Sequence, residues 1–135
     1  MSVPKIGTAH SAITLTASDQ NSSVISVSDY NCLTIEVAYT TGADETNNVA
    51  AITVLGNTDA GTTYSDYCTV TDSSGTNTVN VTTVYNVTGA SAATTYNKVF
   101  SILNLGLKEI KIAIKETGVA SNYGTATVKY RLMVM

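Results

Sequence analysis

Hydrophobic and polar residues alternate along residues 32–40, which read CLTIEVAYT. The odd positions carry Leu33, Ile35, Val37 and Tyr39, and the even positions carry mostly small or polar side chains. Because successive side chains of a strand point to opposite faces of its sheet, this run predicts a strand with one buried face. We expect the other strands to pack around the same core.

The two-residue period recurs in most other segments, between clusters of Gly, Asn, Asp and Ser that are typical of turns. The predicted strands are 11–17, 24–28, 32–40, 49–55, 64–71, 78–87, 98–103, 109–115 and 125–135. No segment keeps a helical period over two turns, so we expect little or no helix. Eight or nine strands predict an all-β fold, a two-sheet antiparallel β-sandwich that is jelly-roll-like. An immunoglobulin-like sandwich is the alternative, although the chain has no Trp.

The length of 135 residues is that of one domain. Pro4 and Gly7 disfavour regular structure near the start, so residues 1–10 are predicted to form an extended N-terminal arm. Residues 11–135 then form a single β-sandwich domain. The first residues lack the apolar segment of a secretory signal, and no run approaches the ~20 apolar residues of a membrane helix. We therefore expect synthesis in a cytoplasm and no membrane association.

The last two predicted strands carry basic residues on the faces opposite their aliphatic side chains. These residues are Lys111, Lys115, Lys129 and Arg131. If the two strands lie side by side, the four side chains form one basic stripe that could contact protein. Most acidic residues lie in the first half of the chain, so an acidic partner or an identical neighbour fits this stripe better than nucleic acid does.

Charged residues make up 13% of the chain, about half of the usual share of roughly 25%. So few charges imply that part of the surface contacts other protein rather than water. The net charge of −3 and a pI near 4.8 argue against a nucleic-acid-binding protein.

The side chains that enzymes need are scarce. His10 is the only histidine and lies in the predicted arm, and no known catalytic or phosphate-binding motif occurs. The acidic residues mostly lie in turns, where backbone geometry favours them. Cys32 and Cys68 are too few and too far apart for a disulfide framework or a zinc site, so we expect two reduced, partly buried thiols. We expect no enzymatic activity and no cofactor.

The residue types present suggest two kinds of ligand site. The loop residues Asp44, Glu45, Asn47 and Asn48, and separately Asn57 and Asp59, could offer oxygens to calcium. Their spacing matches no recognised calcium loop, and turn geometry explains them better, so no metal site is predicted. The eight tyrosines could form a platform for carbohydrate. Their alternation, with Tyr64 and Tyr67 on opposite faces, does not suggest one exposed strip.

Three stretches carry a likeness to a known group of proteins. They are the run LTIEVAY at 33–39, the turn GNTDAG at 56–61 before Tyr64, and KEIKIAIK at 108–115 followed by GTATVKYRL at 124–132. In these strands and in composition the chain resembles the small all-β auxiliary proteins of tailed bacteriophage particles, of the head decoration (cement) type. Galactose-binding-like sandwiches share much of the pattern.

The resemblance implies a jelly-roll protein of the virion, assembled in the host cytoplasm, that binds the major capsid protein or another virion protein. It implies a non-enzymatic structural protein that stabilises the capsid lattice, often as a homotrimer, and it identifies no functional side chains. A phage tail or baseplate component is one alternative. A carbohydrate-binding β-sandwich module is the alternative from another class.

Overall fold

A computed structural model describes residues 3–59, 61–67, 69–73, 78–82, 84–103 and 105–135, with 69–73 and 78–82 described by their backbone alone. These ranges contain strands and no helix. The strands are β1 (Lys5–Thr14), β2 (Gln20–Asn21), β3 (Ile25–Ser26), β4 (Cys32–Thr40), β5 (Asn48–Asn57), β6 (Ser65–Asp66), β7 (Thr69–Ser73), β8 (Thr78–Thr82), β9 (Tyr85–Gly89), β10 (Thr95–Leu103), β11 (Glu109–Thr117) and β12 (Thr125–Met133).

The strands form two antiparallel sheets and a separate hairpin. The four-stranded sheet has the order β1-β12-β4-β10. The six-stranded sheet has the order β2-β11-β5-β6, with β3 also paired to β11 and β9 paired to β5. Strands β7 and β8 pair with each other. The predicted two-sheet all-β architecture is confirmed.

The pairing follows the nested scheme of a jelly roll. Strand β1 pairs with β12, β2 and β3 with β11, β4 with β10, and β5 with β9, as in one long hairpin. The hairpin is rolled up, so that β12 also pairs with β4 and β11 with β5. With β2 and β3 counted as one, this scheme contains eight strands, which agrees with the predicted eight or nine. The additional strands β6, β7 and β8 lie in the connection formed by residues 58–84.

The inward faces of the two sheets form one aliphatic core. The side chains at the odd positions of β4 and the isoleucines of β11 are fully buried, as alternation predicts. The largest buried members are Leu15, Leu33, Ile35, Tyr39, Ile52, Ile102, Leu105, Ile110, Ile112, Ile114 and Leu132. Burying each aliphatic side chain of this kind stabilises the fold by about 1.5–3 kcal/mol. The predicted last strand extended to residue 135, but β12 ends at Met133, and Val134 beyond it is 51% exposed.

The predicted N-terminal arm is wrong for residues 5–10, which belong to β1. This strand pairs with β12 from Lys5 opposite Leu132 to Thr14 opposite Thr125. The register shifts twice, between Thr8 and His10 and between His10 and Ile13. Such bulges interrupt the two-residue period, so the strand is not visible as a simple alternation in the sequence.

The predicted strand 78–87 is divided between two elements. Strand β8 pairs with β7, whereas β9 pairs with β5 in the six-stranded sheet. The predicted strand 64–71 is likewise represented by β6 and β7. Cys68, expected to be a reduced thiol, lies outside the described residues.

Candidate protein-binding face

The four basic residues predicted to form one stripe lie on two different sheets. Lys111 and Lys115 are on β11 of the six-stranded sheet, and Lys129 and Arg131 are on β12 of the four-stranded sheet. The two strands do not pair, and the inward faces of both contribute to the core. Their outward faces therefore point to opposite sides of the sandwich, and the prediction of a single stripe is wrong.

Lys129 and Arg131 take part in a charged ladder on the four-stranded sheet. Lys129 lies opposite Glu36, and Arg131 lies opposite Thr34. Side chains directly opposite each other in an antiparallel pair have Cβ atoms about 4.5–5.5 Å apart. Nevertheless, no ion pair joins Glu36, Lys129 or Arg131 to any residue that the structure describes. These three charges are therefore available to a partner.

Large apolar side chains flank this ladder on the same surface. Ile6 is 73% exposed and lies opposite Arg131, and Val99 is 60% exposed and lies opposite Glu36. Leu103, which is 59% exposed, lies further along β10 opposite Cys32. We define the outer face as Ile6, Thr34, Glu36, Val99, Leu103, Lys129 and Arg131.

The outer face is shallow and is bounded by two edge strands. Two depressions in it have volumes of about 240 and 260 Å³, and Lys129 and Glu36 line both. Strands β1 and β10 form the edges of the four-stranded sheet. An edge strand presents backbone donors and acceptors that another chain can pair with. The surface is thus suited to contact with a protein rather than to enclosing a small molecule.

His10 is part of the core and not of an arm. Its side chain is 7% exposed, and Nε2 donates a hydrogen bond to the carbonyl oxygen of Ile112 at 2.8 Å. His10 lies on the four-stranded sheet and Ile112 on the six-stranded sheet, so this bond connects the two. A hydrogen-bonded histidine in this position acts as a structural group.

The loop considered as a calcium site binds its own backbone instead. Oε1 of Glu45 accepts hydrogen bonds from the N–H groups of Ser121 and Asn122, both at 2.6 Å. Oε2 accepts from Ala120 N at 3.0 Å and from Asn48 Nδ2 at 3.2 Å. These donors, the Asn122 N–H first, lower the pKa of Glu45 from 4.5 to about 2. The Glu45 carboxylate thus holds the 118–124 loop in place through hydrogen bonds to its backbone.

The turn interpretation of the neighbouring residues agrees with their backbone. Asp44 and Asn47 have φ angles of 62° and 60°, a region that Asp and Asn tolerate better than most residues do. No group of three or more His, Cys, Asp or Glu within the described ranges could hold a metal ion.

A second buried carboxylate was missed in the sequence. Glu116 is 1% exposed, its Oε1 accepts a hydrogen bond from Gly124 N at 2.7 Å, and its Oε2 accepts one from the hydroxyl of Tyr39. The predicted strand ended at residue 115. Extending the inward series Ile110, Ile112 and Ile114 by one step would have placed Glu116 in the core.

The tyrosines do not share one exposed platform. Tyr64 donates to Glu109 Oε1 at 3.2 Å, and the Nζ of Lys111 lies 4.3 Å from its ring centroid. Tyr67 and Tyr85 pack against the core, and the Tyr85 ring centroid is 5.2 Å from that of Phe100.

Cys32 is a free, buried thiol. It is more enclosed than the partly buried state that we expected.

The amino-acid sequence was compared with protein-family models and with curated proteins. No protein-family model matches it, and no curated protein is significantly similar to it in sequence. The part of the chain that the structure describes has no helix long and apolar enough to cross a membrane. The geometry of the outer face is therefore the main basis for a functional proposal.

Proposed function

We propose that the protein is a non-enzymatic structural protein of a tailed-bacteriophage virion, a head decoration (cement) protein that binds the capsid lattice through its outer face. The supporting observation is the combination of exposed Ile6, Val99 and Leu103 with the charged side chains of Glu36, Lys129 and Arg131 on the same face. Apolar groups provide the driving force of association, and the charges set orientation and specificity. The resemblance of the strand pattern to decoration proteins supplies the class of partner.

The size of the outer face favours binding in many copies. Four strands spaced about 4.8 Å apart, with nine residues at about 3.4 Å each, span about 600 Å² in projection. A standard stable interface buries about 800 Å² on each partner. One such face is therefore no larger than one side of a standard interface, and buried area alone does not set the affinity. A homotrimer on a repeating lattice engages several faces at once and gains by multivalency.

The stabilising effect follows from mass action. A protein that binds the assembled lattice and not the separated subunits lowers the free energy of the assembled state. A jelly roll with a continuous core is rigid, so little conformational entropy is lost when it binds. This role needs no cofactor and no catalytic group.

The test is co-sedimentation of the purified protein with capsids assembled from the major capsid protein of the same genome. We expect saturable binding that Arg131→Glu and Val99→Glu weaken. The matched control is Lys115→Glu, which makes an equivalent charge reversal on the opposite side of the sandwich. Circular dichroism establishes that each variant is folded.

Two results would contradict the proposal. One is a wild-type protein that stays in the supernatant at all concentrations. The other is equal binding by Arg131→Glu and Lys115→Glu, which would exclude the outer face. Binding to purified tails instead of capsids would favour the tail or baseplate alternative. Light scattering after size exclusion should give a trimer, and a monomer would overturn that assignment.

A further inference from the structure

A cavity of about 350 Å³ lies at the end of the six-stranded sheet, away from the outer face. It is lined by the last residues of β5, by Thr58, Asp59 and Thr63 from the connection to β6, by β6, and by Tyr67 and Leu107. None of the residues that define the outer face lines it. The volume falls within the range of about 300–1,000 Å³ that is usual for small-molecule sites.

The walls of this cavity are fixed by internal contacts. Asn57 is 7% exposed, and its Nδ2 donates to the carbonyl oxygen of Gly61 at 3.1 Å. Oδ1 of Asp59 accepts from Gly61 N at 3.0 Å. A Cβ added at Gly56 would lie 2.5 Å from Cδ1 of Leu107, so Leu107 packs directly on the β5 backbone. A site whose walls are already in place loses little entropy when a ligand binds.

The lining combines hydrogen-bond acceptors with apolar surface. Asp59 and Asp66 supply carboxylates, and Thr63 and Ser65 supply hydroxyl groups. Tyr67 and Leu107 supply an aromatic and an aliphatic surface. No Lys or Arg is among the described lining residues, so an anionic ligand would meet only negative charge. The chemistry suits a neutral ligand that has several hydroxyl groups and one apolar face.

We propose that this cavity binds a saccharide unit. Sugar hydroxyls donate hydrogen bonds to the carboxylates of Asp59 and Asp66, and hydrogen bonds to a charged acceptor are about twice as strong as neutral ones. The C–H face of the pyranose ring contacts Tyr67 and Leu107. Within a virion, such a site would hold a glycan while the outer face is occupied. The site is independent of the proposed capsid binding.

The experiment is a titration of ¹⁵N-labelled full-length protein, followed by amide chemical shifts, with the methyl glycosides of glucose, galactose, mannose, N-acetylglucosamine and rhamnose. We expect at least one glycoside to give saturable shifts confined to amides of residues 56–67 and 105–108. Asp66→Asn should weaken this binding about tenfold. Asp59→Asn, which keeps an acceptor for Gly61 N, serves the same purpose if Asp66→Asn does not fold. Glu36→Gln on the outer face is the control and should bind as the wild type does.

Three results would overturn the proposal. The first is the absence of saturable shifts with all five glycosides. The second is binding that neither Asp66→Asn nor Asp59→Asn weakens. The third is a response of the same amides to calcium chloride alone, reversed by a chelator, together with no response to sugar, which would identify a cation site. Loss of capsid co-sedimentation with sugar binding intact would leave this inference standing.

Discussion

The hydroxyl of Tyr39 donates a hydrogen bond to Oε2 of Glu116, and both side chains are almost fully excluded from solvent. Tyr39 lies on β4 of the four-stranded sheet and Glu116 on β11 of the six-stranded sheet. The bond therefore crosses the core and connects the two sheets. Burial, followed by the hydrogen bond and the negative charge of Glu116, raises the pKa of Tyr39 far above its ordinary value of 10.0.

Tyr39→Phe should lower the free energy of unfolding by about 1–3 kcal/mol, because it removes a donor from a buried carboxylate. Urea unfolding near neutral pH measures this change. Tyr123→Phe is the control, since Tyr123 is 41% exposed, and it should unfold as the wild type does. An unchanged midpoint for Tyr39→Phe would show that the bond contributes nothing to stability.

The same variant has a defined dependence on pH. Above pH 10 the unfolded tyrosine loses its proton, while the folded one keeps it because its pKa is raised. The stabilisation by Tyr39 is thus fully present below pH 10 and is lost as the pH rises further. The difference in unfolding free energy between wild type and Tyr39→Phe should shrink above pH 10, and a difference that grows would contradict this assignment.

Glu45→Gln should lower the melting temperature near neutral pH, because the neutral amide oxygen is a weaker acceptor for the N–H groups of the 118–124 loop. The pKa of Glu45 is lowered from 4.5 to about 2, so its contribution is present above pH 4.5 and is lost as the pH falls towards 2. Wild type and variant should therefore converge in acid. Asp44→Asn is the matched control, and if it has the same effect, a general charge effect is responsible.

Removal of residues 1–4 and removal of residues 1–10 should have very different effects. The shorter deletion loses an exposed hydrogen bond from the Tyr30 hydroxyl to Val3 O at 3.2 Å and should change the melting temperature little. The longer one removes Lys5–His10, the larger part of β1, together with the bond from His10 to Ile112 O, and it should prevent cooperative folding. Thermal unfolding of the wild type and of both deletion variants measures these effects. A nearly unchanged melting temperature for the longer deletion would instead support the extended arm over residues 1–10 that the sequence predicted.

Gly124→Ala should destabilise the protein by about 1–3 kcal/mol. A Cβ at this position would lie 2.2 Å from the carbonyl oxygen of Thr40, a backbone atom that cannot move aside without disturbing β4. Chemical unfolding measures the effect, with Ser121→Ala in the same loop as a control that should be neutral. If Gly124→Ala unfolds at the wild-type midpoint, β4 and the 118–124 loop are not as close as described.

The alternation of apolar and polar residues correctly predicted those strands in which the two-residue period runs along the whole strand without a bulge. The bounds of β4 match the predicted 32–40, and Ile110, Ile112 and Ile114 are buried as expected. Strand β1 was predicted only in part, because its bulges shift the period. The sequence placed Glu45 in a polar turn and did not show that the loop holding Ser121 and Asn122 would enclose it.

The basic residues show that the sequence pattern also does not assign strands to sheets. Lys111 and Lys129 were correctly placed on outward faces, yet the faces belong to different sheets. The outer face, with Ile6 and Val99 on either side of the ladder, could not be predicted because its strands are β1, β12, β4 and β10. Neighbours in that order are far apart in the chain.

The sequence by itself determined the all-β class, the position of most long strands and the side of most strands that is buried, since these depend on local alternation and turn residues. Only the tertiary structure decided the sheet in which each strand lies, which carboxylates are enclosed, and which charges and apolar groups share a surface. The physical reason is that a two-residue period specifies the face of a strand but carries no information about its neighbours. The neighbours of a strand depend on how the long hairpin is rolled up, and contacts between segments that are distant in the chain determine this.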